Sequence, residues 1–100
     1  MGFKIVPARL AYLDIEEIAD YISQDSMESA RKWVLGLWDV INNLAEMPKR
    51  FPYVPEAFPC RSCLYHSHRI IYRIDESSKT IYILRVYHSA REPLKEDDFT

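Results

Sequence analysis

The stretch Leu64-Tyr65-His66-Ser67-His68-Arg69-Ile70-Ile71-Tyr72-Arg73-Ile74 is followed, after Asp75-Glu76-Ser77-Ser78-Lys79, by Thr80-Ile81-Tyr82-Ile83-Leu84-Arg85-Val86-Tyr87-His88. Both runs are rich in β-branched and aromatic residues, and a polar turn separates them. That composition predicts a β-hairpin with a four- to five-residue loop. Successive side chains of a strand point to opposite faces, so Ile70, Tyr72 and Ile74 share one face and Arg69, Ile71 and Arg73 the other. One face therefore packs on a core, while the other meets something polar or anionic. Antiparallel pairing brings Tyr87, His88 and Arg91 beside His68 and Arg69. A site is expected there, with Arg69 and His88 on or beside one open concavity of the sheet.

Outward from the hairpin, the chain reads as one domain. Phe3-Lys4-Ile5-Val6 is a short strand stopped by Pro7, which cannot donate a ladder hydrogen bond. From about Ala8 to Gln24, Ala11, Ile15, Ile18, Ala19 and Ile22 recur at helical spacing. Gln24-Asp25-Ser26 breaks that helix, and Ser26 is placed to cap the next. The second helix runs from Met27 to about Met47, with Ala30, Trp33, Leu37, Ile41 and Leu44 as its stripe, and Pro48 ends it. Residues 48–59 hold Pro48, Pro52, Pro55 and Pro59 with Phe51, Tyr53 and Phe58 between them. This is a stiff crossover, because proline fixes φ and the aromatics pack. A strand near Arg61 to Tyr65 precedes the hairpin, and residues 92–100 form a polar, frayed tail. The order β-α-α-β-β-β predicts an α+β fold: a mostly antiparallel sheet with an αα-hairpin on one face and the arginine-bearing face open.

Composition narrows the class. The chain has 100 residues, 48% of them hydrophobic, with two glycines, which suits a single compact domain. No apolar run reaches the ~18 to 20 residues of a membrane helix, and Pro7 and Arg9 interrupt the only apolar start. Met1-Gly2 opens like a myristoylation signal, but Val6 stands where Ser or Thr is required. A cytoplasmic protein is expected. The net charge of −2 hides an asymmetry. Asp14, Glu16, Glu17, Asp20, Asp25 and Glu28 crowd one stretch without a Lys or Arg, whereas Arg61, Arg69, Arg73, Lys79, Arg85 and Arg91 face only Asp75 and Glu76 in another. The basic part suits an anionic partner, or simply reflects solvated charge on a sheet. Cys60 and Cys63 form a CxxC, but strand alternation sends their side chains to opposite faces. Neither metal nor a mutual disulfide is expected, and no cofactor is implied.

Four segments together resemble the RelE/ParE superfamily of bacterial type II toxin–antitoxin toxins. Asp14-Ile15-x-x-Ile18-x-x-Tyr21-Ile22 is similar to the first-helix pattern, and Ala30, Trp33, Leu37, Ile41, Leu44 and Pro48 to the second helix and its exit. Arg69-Ile-Ile-Tyr-Arg-Ile74 resembles the middle strand, and Ile83-Leu-Arg-Val-Tyr-His88-x-x-Arg91 the last. The resemblance implies a toxin held inactive by a co-encoded antitoxin. Its target would be DNA gyrase in the ParE-like branch, or messenger RNA in the ribosomal A site in the RelE-like branch. A degenerate toxin that only binds its antitoxin is a third outcome.

In a RelE-like nuclease, Arg69 would contact the scissile phosphate, His88 would be the general acid and Arg91 a further phosphate ligand. Metal-free cleavage needs such cations and such an acid. His88 reads equally as a strand-end hydrogen-bonding group. The lysine-rich segment of strongly basic RelE-like nucleases is missing, Lys49, Arg50 and Arg61 being a thin substitute. Val86-Tyr-His-Ser-Ala-Arg91 is closer to the ParE and plasmid-stabilisation branch, so gyrase is the expected target. On the second helix, Leu35 and Trp38 fall outside the centre of the main stripe. They are expected either to lie under the first helix or to form an anchor for the antitoxin.

Overall fold

The computed structural model describes residues 2–90. Strand β1 (Lys4–Pro7) leads into helix α1 (Arg9–Ser23), helix α2 (Met27–Asn43), two short 3-10 turns (Pro48–Arg50 and Pro55–Ala57), and strands β2 (Arg61–Tyr65), β3 (His68–Asp75) and β4 (Thr80–His88). The sheet order is β1-β4-β3-β2. The β1–β4 pair is parallel and the other two pairs are antiparallel. This is the α+β order read from the sequence.

Local signals explain most boundaries. Ser26 Oγ accepts a hydrogen bond from the Ser29 amide (3.1 Å), the N-cap expected of α2. That helix ends at Asn43, short of Met47, and Phe3 captures one of its frayed carbonyls by donating its N–H to Ala45 O (2.9 Å). Gly36 lies in the middle of α2, where glycine is normally unfavourable. A Cβ there would collide with the Tyr65 hydroxyl, which donates to the Trp33 carbonyl (2.8 Å). The β3–β4 loop is held by the Asp75 carboxylate, which accepts from the Ser77 amide (3.0 Å) and hydroxyl (2.7 Å).

The main core lies between the helices and the sheet. Ala11 and Ile15 of α1 and Leu37 and Ile41 of α2 meet Ile70, Tyr72, Ile81, Ile83 and Val86. Tyr72 is fully buried, and its hydroxyl donates to Pro48 O (2.5 Å), tying the crossover to the sheet. Burial pushes its phenol up to about 12. Cys63 belongs to this core. Cys60 lies in a second cluster across the sheet, with Val54, Ile71 and Tyr87.

That second cluster corrects one expectation. The face opposite the helices is not open: Ile71 is fully buried there, covered by the Pro-rich crossover, and Arg69 and Arg73 are half-buried. Prolines at Pro52, Pro55 and Pro59 stiffen this cover, and Arg61 fastens it by donating Nη1 to Phe51 O (2.7 Å) and Lys49 O (3.1 Å).

Candidate functional site

The geometry of the hairpin turns on one extra residue. Asp75 pairs with Thr80, Ile74 with Ile81 and Tyr72 with Ile83, as a regular hairpin requires. The register then shifts between Ile71 and Tyr72, so Ile71 faces Arg85, Arg69 faces Tyr87 and His68 faces His88. Leu84 is the additional residue of β4, a β-bulge. Without it Arg69 would oppose Val86, and His88 would share its face. With it, the end of β4 is inverted, because a one-residue slip sends each side chain to the other face.

Arg69 and His88 are therefore not brought onto one concavity. Arg69 alternates with Ile70 of the helix-side core and shares the face of Ile71. His88 follows His68, whose ring lies 5.3 Å from its own and 5.2 Å from Trp33 of α2. Both histidines thus face the helices. His88 Nδ1 accepts from the Ala90 amide (3.1 Å), a strand-end hydrogen bond. Arg91 lies outside the described residues, as does the polar tail.

Beyond Pro7, β1 no longer covers β4, and α1 takes over its free margin. Asp14 sits at that place. Its carboxylate accepts from Arg85 Nε (2.7 Å) and Nη2 (2.9 Å) and from the Val86 amide (2.9 Å). The two side chains are only 14% and 16% exposed, so this is a nearly dry, bidentate pair. Arg85, which the sequence places among solvated sheet charges, is instead a fastener between helix and strand.

Past this fastener, the C-terminal half of α1 overhangs the end of the sheet and encloses a groove. Glu17, Ile18, Tyr21 and Ile22 form one wall, and His68 and His88 the other. The groove has a volume of about 370 Å³. His68 Nδ1 is buried without a hydrogen-bond partner among the described residues. Burial pushes the His68 pKa below the ordinary value, and the neighbouring His88 and His66 push in the same direction. Sequence reasoning singled out His68 and His88 but missed the helical wall. The missing signal was the bulge: His68 shares the face of Ile70 and Tyr72 in any register, but only the inverted strand end brings His88 to the same side.

The two α2 residues fare differently. Leu35 is 54% exposed. Trp38 is half-buried, packed on the core margin with its ring 5.8 Å from Tyr12 of α1. The first helix covers part of that shoulder, as hairpin packing of helices requires.

A sequence model of the family described as the ParE toxin of the type II toxin–antitoxin system, parDE, matches residues 5–93. The chain belongs to the ParE toxin family. The match spans both helices and all four strands, so the bulged hairpin and the α1 fastener lie within the family domain. The fold is also similar to two solved structures. One is the chromosomal ParDE toxin–antitoxin system from P. aeruginosa (TM-score 0.72, 22% identity, 87% of this chain and 96% of that one). The other is the toxin–antitoxin complex RelBE2 from Mycobacterium tuberculosis (TM-score 0.60, 22% identity, 91% and 95%). Comparison with curated proteins yields no match. Among the described residues, no helix is long and apolar enough to cross a membrane.

Proposed function

We propose that this toxin of a type II toxin–antitoxin module inhibits growth by acting on DNA gyrase and is neutralised by a co-encoded antitoxin. The observation that carries this reading is the separation of Arg69 from His88. A ribonuclease of the RelE kind needs its phosphate-binding cation and its general acid around one scissile phosphate, each within hydrogen-bond reach of a reacting atom. Here they lie on opposite faces of the sheet. Arg85, which could have replaced Arg69, is held by Asp14. The modest acidity of the chain, −2 overall, also suits a protein target better than the ribosome's RNA surface.

An antitoxin fits the exposed α2 shoulder at Leu35, with Trp38 at its margin. Large apolar side chains left at a surface are typical anchors of a partner interface. Two solved structures of similar fold come from toxin–antitoxin systems, which supports the same pairing. Induced expression without the antitoxin tests the proposal in cells. Arrest of replication with DNA breaks is the expected result. Rapid loss of translation would replace gyrase with the ribosome as target, and unimpaired growth would leave a chain that only binds antitoxin.

A further inference from the structure

The open end of the hairpin gathers three imidazoles. His66 stands in the β2–β3 turn at φ 52°, in the left-handed region, and the chain reverses there toward His68. His68 and His88 are paired directly across β3 and β4, and their rings meet edge to face at 5.3 Å. The His68 ring also meets the Trp33 indole edge to face, at 5.2 Å. Trp33 is itself tied down, since its carbonyl accepts from the Tyr65 hydroxyl (2.8 Å). Two nitrogens decide what a proton does here. His68 Nδ1 is buried without a hydrogen-bond partner among the described residues, so an N–H on it in the imidazolium would go unsatisfied. His88 Nδ1 accepts from the Ala90 amide (3.1 Å). An imidazolium donates from both nitrogens and accepts at neither, so a proton on His88 breaks that bond. Beside it, the Ser89 amide donates to Ser67 O (2.8 Å), fastening the end of β4 to the β2–β3 turn.

The surroundings compensate a proton poorly. Glu17 and Tyr21 line the groove from α1, and Lys32 of α2 lines an adjoining pocket with Trp33, Tyr65 and His66. Asp39 of α2 bears on the Tyr65 phenol rather than on His68. Glu17 is the one acid lining either space, and it forms no ion pair with an imidazole among the described residues. Two imidazolium rings in direct contact would also repel each other. Burial, followed by the nearby His88 and His66, accordingly holds the His68 pKa below its ordinary value.

We propose that the cross-strand pair His68–His88 is an acid-operated latch on the end of the hairpin. Neutral imidazoles let the end of β4 close on the β2–β3 turn and keep His68 against Trp33. Protonation detaches residues 88–90 and moves His68 off the indole, while the sheet from Ile81 to Ile83 stays folded. A strand end is where such local opening costs least. The direction follows from linkage. With its pKa lowered, His68 takes up a proton less readily in the folded protein than in the unfolded chain. The latch is therefore closed above about pH 6.5, and its stabilisation is lost as pH falls from there through the folded value. It is a property of the toxin alone and does not depend on which target the toxin has.

The test is a titration of the purified full chain from about pH 8 to about pH 5, above the ordinary carboxylate range and with a chelator present to exclude metal. NMR follows the imidazoles and the amide protection, corrected for the intrinsic exchange rate at each pH. Fluorescence follows Trp33 in a Trp38→Phe background, which leaves it as the single tryptophan. His68 should titrate below about 6.5. Protection of the Ser89 and Ala90 amides should fall about tenfold or more across that transition, while Ile81 and Ile83 keep theirs. The Trp33 emission should move to longer wavelength with the same midpoint. His68→Gln should abolish the Trp33 transition, and His88→Gln should raise the His68 midpoint by removing the neighbouring charge. Where a variant does not fold, the imidazole titration and amide protection of the parent decide alone. His68 titrating at or above its ordinary value, unchanged protection of Ser89 and Ala90, or a Trp33 transition that survives His68→Gln would each overturn the proposal. Simultaneous loss of protection at Ile81 and Ile83 would mean acid unfolding of the whole sheet and would overturn it equally.

Discussion

Replacing Asp14 with alanine should be among the most damaging single changes at a polar position of this chain. The Arg85 guanidinium would lose the carboxylate that receives two of its donors, in a place where only 14% of the side chain reaches solvent. The Val86 amide would lose its acceptor at the margin that β1 leaves uncovered. Breaking a largely buried pair by removing one partner costs ~3 to 5 kcal/mol, and an unsatisfied buried amide alone ~1 to 3. The two losses overlap because one carboxylate serves both, so ~3 to 5 kcal/mol is the combined expectation. For a domain of this size that lowers the melting temperature by roughly 12 °C or more. Asp14→Asn keeps one acceptor and should fall about midway. Thermal and urea unfolding of both variants, with Arg85→Met and the double variant closing the cycle, measures the coupling directly. A cost below ~1 kcal/mol for Asp14→Ala, the range of an exposed pair, would refute the assignment of Asp14 and Arg85 as the fastener of α1.

Two further outcomes follow from the packing. Tyr72, raised by burial from 10.0 to about 12, binds its proton more tightly when folded. Its contribution is complete below pH 10, is lost as pH rises from 10 to 12, and amounts to on the order of 2 to 3 kcal/mol. Tyr72→Phe should be less stable at neutral pH by ~1 to 3 kcal/mol, since Pro48 O loses its donor, yet show a shallower alkaline decline in urea unfolding. An identical alkaline slope in both proteins would contradict this. On α2, Leu35→Ala should change stability by less than ~0.5 kcal/mol, whereas Trp38→Ala should cost ~1 to 2 because its ring rests on Tyr12 and the core margin. Both should weaken antitoxin binding in calorimetry, together by ~2 kcal/mol or more, and unchanged affinity for the pair would remove this shoulder from the interface.

The architecture was legible because the large signals agree. The hairpin composition, the stripe from Ala30 to Leu44, the Ser26 cap and the proline run each favour one local structure, and only one layered arrangement buries them together. What escaped was small in sequence and large in space. Nothing in Ile83-Leu84-Arg85 announces a bulge, yet that single residue inverts the end of β4. It parts Arg69 from His88 and turns His88 to join His68 on the side of α1. The cover over Ile71 was likewise hidden, because a crossover of prolines and aromatics says that it is stiff without saying which face it closes. Asp14 was recognised as part of a helical pattern, but its partner is 71 residues away, beyond the reach of periodicity.

The most direct measurement of the central claim is supercoiling of relaxed plasmid by purified gyrase, with added toxin, beside a ribosome-dependent messenger RNA cleavage assay using the same preparation. The account predicts inhibition of supercoiling with trapped cleaved DNA, no cut messenger RNA, and full potency retained by Arg69→Ala/His88→Ala if that variant is folded. Codon-positioned cleavage of messenger RNA in the ribosome, abolished by those same two substitutions and accompanied by unaffected gyrase, would contradict it.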